Sequence, residues 1–266
     1  MSIAWLRRVT RDSLYHFLHE VWQGYYLTVP PRAGEGAVTH HIVGSGRSPV
    51  RLAQSRLLPP VLAGHTRIVC LSDVHERYHL ADLPPGDVLI IAGDILTISR
   101  HFSREAALAK MRRFASWLRR RPHTKKLVIG GNHDVILQEI GFERAQALFE
   151  GCDYVEDGEV SFEGGCRAYA TPHSRGTSAN RAFQDRAAER LAAIPRNLDV
   201  LVTHGPLLDE ELARFNPRVH VCGHIHQDHG VVEKAGGVTC VNAAFMGRKY
   251  TPTNHPIVID LPHRRH

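Results

Sequence analysis

The sequence has no C-x-x-C pair, no long apolar run and few aromatic residues, and each shortage closes off a class of protein. Its five cysteines, at 70, 152, 166, 222 and 240, are odd in number and scattered. That excludes a disulfide scaffold and points to a reducing compartment, with Cys70, Cys222 and Cys240 read as small hydrophobes inside strand-like runs. The longest apolar stretches, such as Val88 to Ala92, fall far short of the ~20 residues of a membrane-spanning helix. No membrane span is expected, and the protein reads as soluble. Aromatics amount to 7% and do not interleave with a basic stripe. Of the net charge of +6, residues 1–66 carry +4, from seven arginines against three acids. This pattern is a solvated basic tail rather than a nucleic-acid surface, so no nucleic-acid polymer is expected as partner.

At 266 residues the chain suits one large domain plus an extension. Residues 1–65 differ from the rest. Apolar Ile3, Leu6, Leu14, Phe17, Leu18, Val21 and Trp22 predict an amphipathic helix, and the Pro/Gly-rich stretch after it predicts an irregular arm. The arginine-rich start resembles a transit peptide, while Asp12 and Glu20 count against one; a cytoplasmic location is expected, with organellar targeting as the alternative. From Thr66 to His266 strand-like runs alternate with helical patterns, an α/β reading. A helix is predicted from Ser103 to Arg121, its apolar face formed by Leu108, Met111, Ala115 and Leu118, with shorter ones over 142–150 and 182–193.

Histidine is abundant, 19 of 266 residues, and chance alone would supply roughly one His-x-His pair. The stretch GHIH at 223–226 is therefore weak evidence by itself. Its weight comes from company. Five successive strand-like runs end in Asp73-Val74-His75, Gly93-Asp94, Gly131-Asn132-His133-Asp134, His204-Gly205 and Gly223-His224-Ile225-His226. Each delivers a metal-ligand side chain at the carboxyl end of a strand, the edge where α/β sheets place their ligands.

These motifs, in this order, resemble the calcineurin-like metallophosphoesterase superfamily, and within it the small brain-type metallophosphoesterase-domain class. The resemblance spans residues 66–262. It implies a four-layer α/β/β/α sandwich with two mixed sheets, and a dinuclear site. One cation would take Asp73, His75, Asp94 and His226; the other would take Asp94, Asn132, His204 and His224, with Asp94 bridging. Mixed imidazole and oxygen ligands suit manganese first, with iron, zinc or magnesium as alternatives. The implied activity is hydrolysis of small phosphodiesters such as cyclic nucleotides through a metal-bridging hydroxide. His133 would protonate the leaving oxygen and Asp134 would support it, although Asp134 at this position also suits a helix cap. In the loop 170–183, Arg175 is a candidate phosphate clamp and His173 a candidate contact to the leaving group; solvated loop residues are the other reading of both.

Two rival readings stay open: a phosphomonoesterase or protein phosphatase, and a catalytically silent metal-binding scaffold. The run Gly93-Asp94-Ile95-Leu96-Thr97 has threonine where many superfamily members carry a second aspartate. Acid follows His133 as aspartate rather than glutamate, a departure from protein Ser/Thr phosphatases. All seven implied ligand positions are filled. Oligomeric state is not legible.

Overall fold

The computed structural model describes residues 39–43, 50–52, 58–97, 103–175 and 180–264. The helix expected within residues 3–22 lies outside them. Among the described residues, thirteen strands form two mixed sheets. The first sheet contains β1 (Thr39–Val43), β2 (Val50–Leu52), β3 (His65–Leu71), β4 (Val88–Ala92), β5 (Lys125–Ile129), β6 (Asp153–Tyr154) and β13 (Ile257–Pro262), in the order β2-β1-β13-β3-β4-β5-β6. The second contains β7 (Gly158–Phe162), β8 (Cys166–Thr171), β9 (Val200–Thr203), β10 (Val219–Cys222), β11 (Gly230–Lys234) and β12 (Val238–Asn242), in the order β11-β12-β10-β9-β8-β7. β3 to β6 run parallel, as do β8, β9, β10 and β12, while antiparallel neighbours such as β7, β11 and β13 make both sheets mixed.

The strands are apolar on both faces because both faces are covered. On β3, Ile68 and Cys70 join a core shared with Ala168, Val200, Val202 and Val221 of the second sheet. Alternate residues Val69 and Leu71 point the other way. They meet helix α1 (Arg104–Arg119), whose buried face is Ala107, Met111, Phe114, Ala115, Trp117 and Leu118. Ser103 caps this helix, its hydroxyl accepting from the Ala106 N–H at 3.2 Å. Two short helices, α2 (Val135–Ile140) and α3 (Phe142–Leu148), extend that layer. Beyond the second sheet, α4 (Ala187–Ala192) and α5 (Asp209–Phe215) place Leu191, Leu212 and Phe215 against Tyr169 and Leu201. The result is the expected four-layer sandwich.

Two details differ from the sequence reading. The segment read as an irregular arm supplies β1, which pairs in parallel with β13, and β2, which pairs with β1, so the sheet starts before Thr66. The helix expected over 182–193 begins only at Ala187, because Phe183 and Arg186 adopt left-handed backbone at φ 57° and 58°.

A buried ion pair joins β3 to β13. Arg67 Nε and Nη2 donate to the two oxygens of Asp260 at 2.6 and 2.7 Å, and Nη2 also donates to the Pro59 carbonyl. Removing one partner of a buried pair leaves a charge without compensation. Asp260→Ala should therefore lower the unfolding free energy by about 3–5 kcal/mol, read as a lower urea midpoint at unchanged slope. The double variant Arg67→Met/Asp260→Leu should recover most of the loss. An unshifted midpoint in the single variant would show that the pair is solvated.

Candidate metal centre

The carboxyl ends of β3, β4 and β5 from one sheet and of β9 and β10 from the other meet at one edge. There the seven expected side chains come together. Asp73, His75 and His226 form one cluster of converging donor atoms, and Asp94, His204 and His224 form a second. Asn132 joins the second: its Oδ1 lies 2.9 Å from both His204 Nε2 and His224 Nδ1. Asp94 stands between the clusters. Its Oδ1 is 3.3 Å from His204 Nε2, and its Oδ2 is 3.9 Å from both His75 Nε2 and His133 Nε2. All but His224 are buried, and Asp73 and His204 are 0% exposed.

The backbone pays for this convergence with unusual conformations. Asp73, His75, Asp94 and His224 all have positive φ, from 39° to 68°, a region costly for residues with a Cβ and found mainly where function requires it. Backbone bonds hold them there: Asp73 N–H donates to Gly93 O at 3.0 Å and His75 N–H to Asp94 O at 3.1 Å. Two glycines are required for close approach. A Cβ on Gly131 would overlap Asp94, and one on Gly223 would overlap Asp73.

Whether these residues fit divalent cations can be tested on their unpaired atoms. His75 Nδ1 donates to the Leu96 carbonyl and His204 Nδ1 to the Ala92 carbonyl, each at 2.9 Å. Rings anchored through Nδ1 direct Nε2 inward, the usual arrangement of a metal-bound histidine. His75 Nε2 faces His226 Nε2 at 3.2 Å, and the buried Asp73 Oδ1 has no hydrogen-bond partner. A cation between such atoms satisfies all of them. The protonation equilibria agree. Burial pushes His75 down to about 3, helped by neighbouring His133, and burial with nearby His204 brings His224 down to about 4. Burial also disfavours charge on His204, but Asp94 outweighs it and raises the group to about 9. The residues fit.

Around the donors the structure assigns partners that spacing alone does not reveal. His133 Nδ1 donates to the Thr97 carbonyl, and its Nε2 lies 3.3 Å from the side-chain nitrogen of Asn180. Asp134 occupies the position before α2, yet its side chain does not cap that helix. Instead it accepts backbone N–H groups from Ile95 at 3.1 Å and from Leu96 and Gly131 at 2.9 Å. Burial and the Asp94 carboxylate push it up to about 7 against those donors. Asp134 thus ties the Gly93–Thr97 loop to the Gly131–Asp134 loop and makes no hydrogen bond to His133 among the described residues. Arg175 pairs with Glu211 at 2.6 Å. His173 Nδ1 donates to Phe183 O at 2.9 Å and its Nε2 stands 3.3 Å from Asp157. Both therefore brace the loop they sit in. His229, beyond the His224–His226 stretch, donates to the His255 carbonyl.

Three further residues escaped the sequence reading. Asn180 O accepts from Asn132 Nδ2 at 3.2 Å, which turns Asn132 Oδ1 toward the two histidines. Asn242 Nδ2 donates to the carbonyl of Ile225 at 2.9 Å and holds the His224–His226 turn. Tyr250 lays its ring against His226 and His75, with centroids 4.6 and 4.9 Å apart. Their signals, single polar or aromatic residues in loops or at a strand end, have no periodicity to find.

A profile of the calcineurin-like phosphoesterase family matches residues 66–228. The chain belongs to that family. It is 34% identical to human metallophosphoesterase domain-containing protein 1 over 247 residues, covering 76% of this chain and 73% of the human one. It is 31% identical to a UPF0046 protein of Caenorhabditis elegans, covering 83% and 89%. This calcineurin-like phosphoesterase is accordingly a metal-dependent phosphoester hydrolase, and its family uses paired divalent cations. No helix among its described residues is long and apolar enough to cross a membrane.

Divalent metal should stabilise the protein by mass action. At a free Mn²⁺ concentration about 100 times Kd the gain is about 2.7 kcal/mol, or roughly 5–10 °C in Tm for a chain of this size. Asp94→Asn should lose most of that shift. A Tm indifferent to Mn²⁺ in the chelator-stripped wild type would refute the ligand reading of both clusters.

Proposed function

We propose that this chain is a phosphodiesterase acting on small phosphodiesters, cyclic nucleotides among them, with weaker activity on monoesters. The observation that supports this most directly is the pair of donor clusters, with Asp94 of the second standing 3.9 Å from His75 of the first and no lysine or arginine paired to Asp73 or Asp94 among the described residues. Two carboxylates facing two divalent cations leave about +2 of formal charge. That is enough to hold a singly charged diester. A doubly charged monoester would gain from an added guanidinium, and the candidate for that role, Arg175, is engaged with Glu211.

In this reading Asp73, His75, His226 and Asp94 hold one cation, and Asp94, Asn132, His204 and His224 hold the other. Manganese is the preferred ion, given the mixed imidazole and oxygen donors. When bound, such a pair polarises the phosphoryl group and lowers the pKa of water so that hydroxide is available near neutral pH. The protein's own groups do the rest. His133, its Nδ1 proton anchored on the Thr97 carbonyl, directs Nε2 toward the reacting side and donates a proton to the departing oxygen. Asp134 keeps the two loops that carry Asp94 and Asn132 in register. Asn180 orients both Asn132 and His133. The five cysteines carry no disulfide, which supports a reducing, cytoplasmic setting.

The test uses chelator-stripped protein with bis-p-nitrophenyl phosphate and p-nitrophenyl phosphate across Mn²⁺, Fe²⁺, Zn²⁺ and Mg²⁺. Diester turnover should return with Mn²⁺ and exceed monoester turnover, and His133→Ala should cut it by about 10²–10⁴-fold. Faster monoester turnover would favour a phosphomonoesterase. Metal binding without turnover of either ester would favour a scaffold.

A further inference from the structure

The segment after β12 returns to the site without supplying a donor to either cluster, yet it is built with care. Phe245 N–H donates to Ser72 O at 2.7 Å and Met246 N–H to Asp73 O at 3.3 Å, so the segment is stitched to the strand end that carries Asp73. A tight turn follows, with Tyr250 N–H donating to Gly247 O at 2.9 Å and Gly247 N–H to Thr251 O at 2.8 Å. Asn254 Nδ2 closes it by donating to the carbonyls of Ala244 at 2.9 Å and Met246 at 3.2 Å. At the end of this turn Tyr250 has φ 53°, a left-handed conformation that a bulky aromatic adopts rarely. Strain of this kind persists only where its surroundings impose it, and it gathers at ligand-binding positions.

The strained turn delivers an aromatic ring to the mouth of the site. The ring packs edge-on against His226 at 4.6 Å, with a 70° interplanar angle, and tilts against His75 at 4.9 Å and His133 at 6.4 Å. It thus stands on the side where His133 would meet the departing oxygen. Tyr250 is half-buried, so part of its surface faces outward beside the donors. An aromatic surface beside a charged phosphate site favours flat, aromatic groups through offset or edge contacts.

We propose that Tyr250 is a specificity-determining residue: its ring forms the wall against which an aromatic ester group of the substrate lies, so that phosphoesters bearing an aryl or heteroaromatic group bind in preference to those bearing alkyl groups. This deepens the phosphodiesterase reading and rests on it for the substrate, but it concerns binding rather than turnover. Tyr250 touches neither the attacking water nor the departing proton in this scheme.

The experiment is calorimetric binding of phenylphosphonate and methylphosphonate to Mn²⁺-loaded wild type, Tyr250→Phe and Tyr250→Leu. The two probes share one head group and neither is hydrolysed, so a protein lacking diesterase activity would still give a reading. Wild type should prefer the phenyl compound. Tyr250→Phe should keep that preference within about twofold, and Tyr250→Leu should lose about fivefold in phenyl affinity while holding methylphosphonate as before. Parallel weakening of both probes in Tyr250→Leu would overturn the proposal and make Tyr250 a support for His75 and His226. Unchanged phenyl affinity in Tyr250→Leu would overturn it too. Circular dichroism and Mn²⁺ stoichiometry of each variant separate these outcomes from misfolding.

Discussion

Two carboxylates, Asp73 and Asp94, are buried among imidazoles, with no lysine or arginine among the described residues to neutralise them. Burying charge in this way is unfavourable unless opposite charge comes with it. Much of the architecture follows from that demand. Five strand ends from two sheets must converge, because one strand can place only one or two donors at a given point. Glycines must flank the donors so that backbones can approach. The nearby imidazoles respond differently, with Asp94 raising His204 while burial lowers His75 and His224. The site is arranged to receive positive charge.

The sandwich explains why that arrangement holds. Each sheet is covered by helices on its outer face and by the other sheet on its inner face, so neither can slide without disrupting the shared core. The left-handed conformations at Asp73, His75, Asp94 and His224 are held from outside: Asp73 and His75 bond the backbone of Gly93 and Asp94, and His224 N–H donates to the Asp73 carboxylate. Asp134 contributes most visibly, gathering three backbone donors from two loops onto one carboxylate. The family resemblance implies that Asp134 supports His133; in the structure its carboxylate meets these backbone donors, while His133 meets the Thr97 carbonyl and Asn180.

The central strands and their donors were legible from sequence because fully buried strands are continuous apolar runs and the donors stand immediately after them. The long helix was equally plain from its cap at Ser103 and its apolar face. Elements at the margins were not. β6 has two residues, β7 and β11 mix polar and apolar positions, and β1 and β2 lie in a Pro- and Gly-rich stretch; such strands owe their existence to a neighbour already in place, which no local pattern records. The same holds in the site. Asn180, Asn242 and Tyr250 act through positions reached only in the folded protein, and the partners of Arg175 and His173, namely Glu211, Asp157 and Phe183, are likewise recorded in no local pattern.

The strand order of the larger sheet carries a consequence for synthesis. β13, made last of the described strands, is inserted between β1 and β3, which are made first. Until residues 257–262 have left the ribosome, the sheet has a gap at its middle and β3 presents an unpaired apolar edge. Contacts of such sequence separation are slow to form, and open edges invite association with other chains. Between its own synthesis and that of β13, β3, the strand that leads into Asp73, lacks the neighbour that covers this edge. Chaperone cover during that interval matters more for this fold than for one whose sheet grows outward from its first strands.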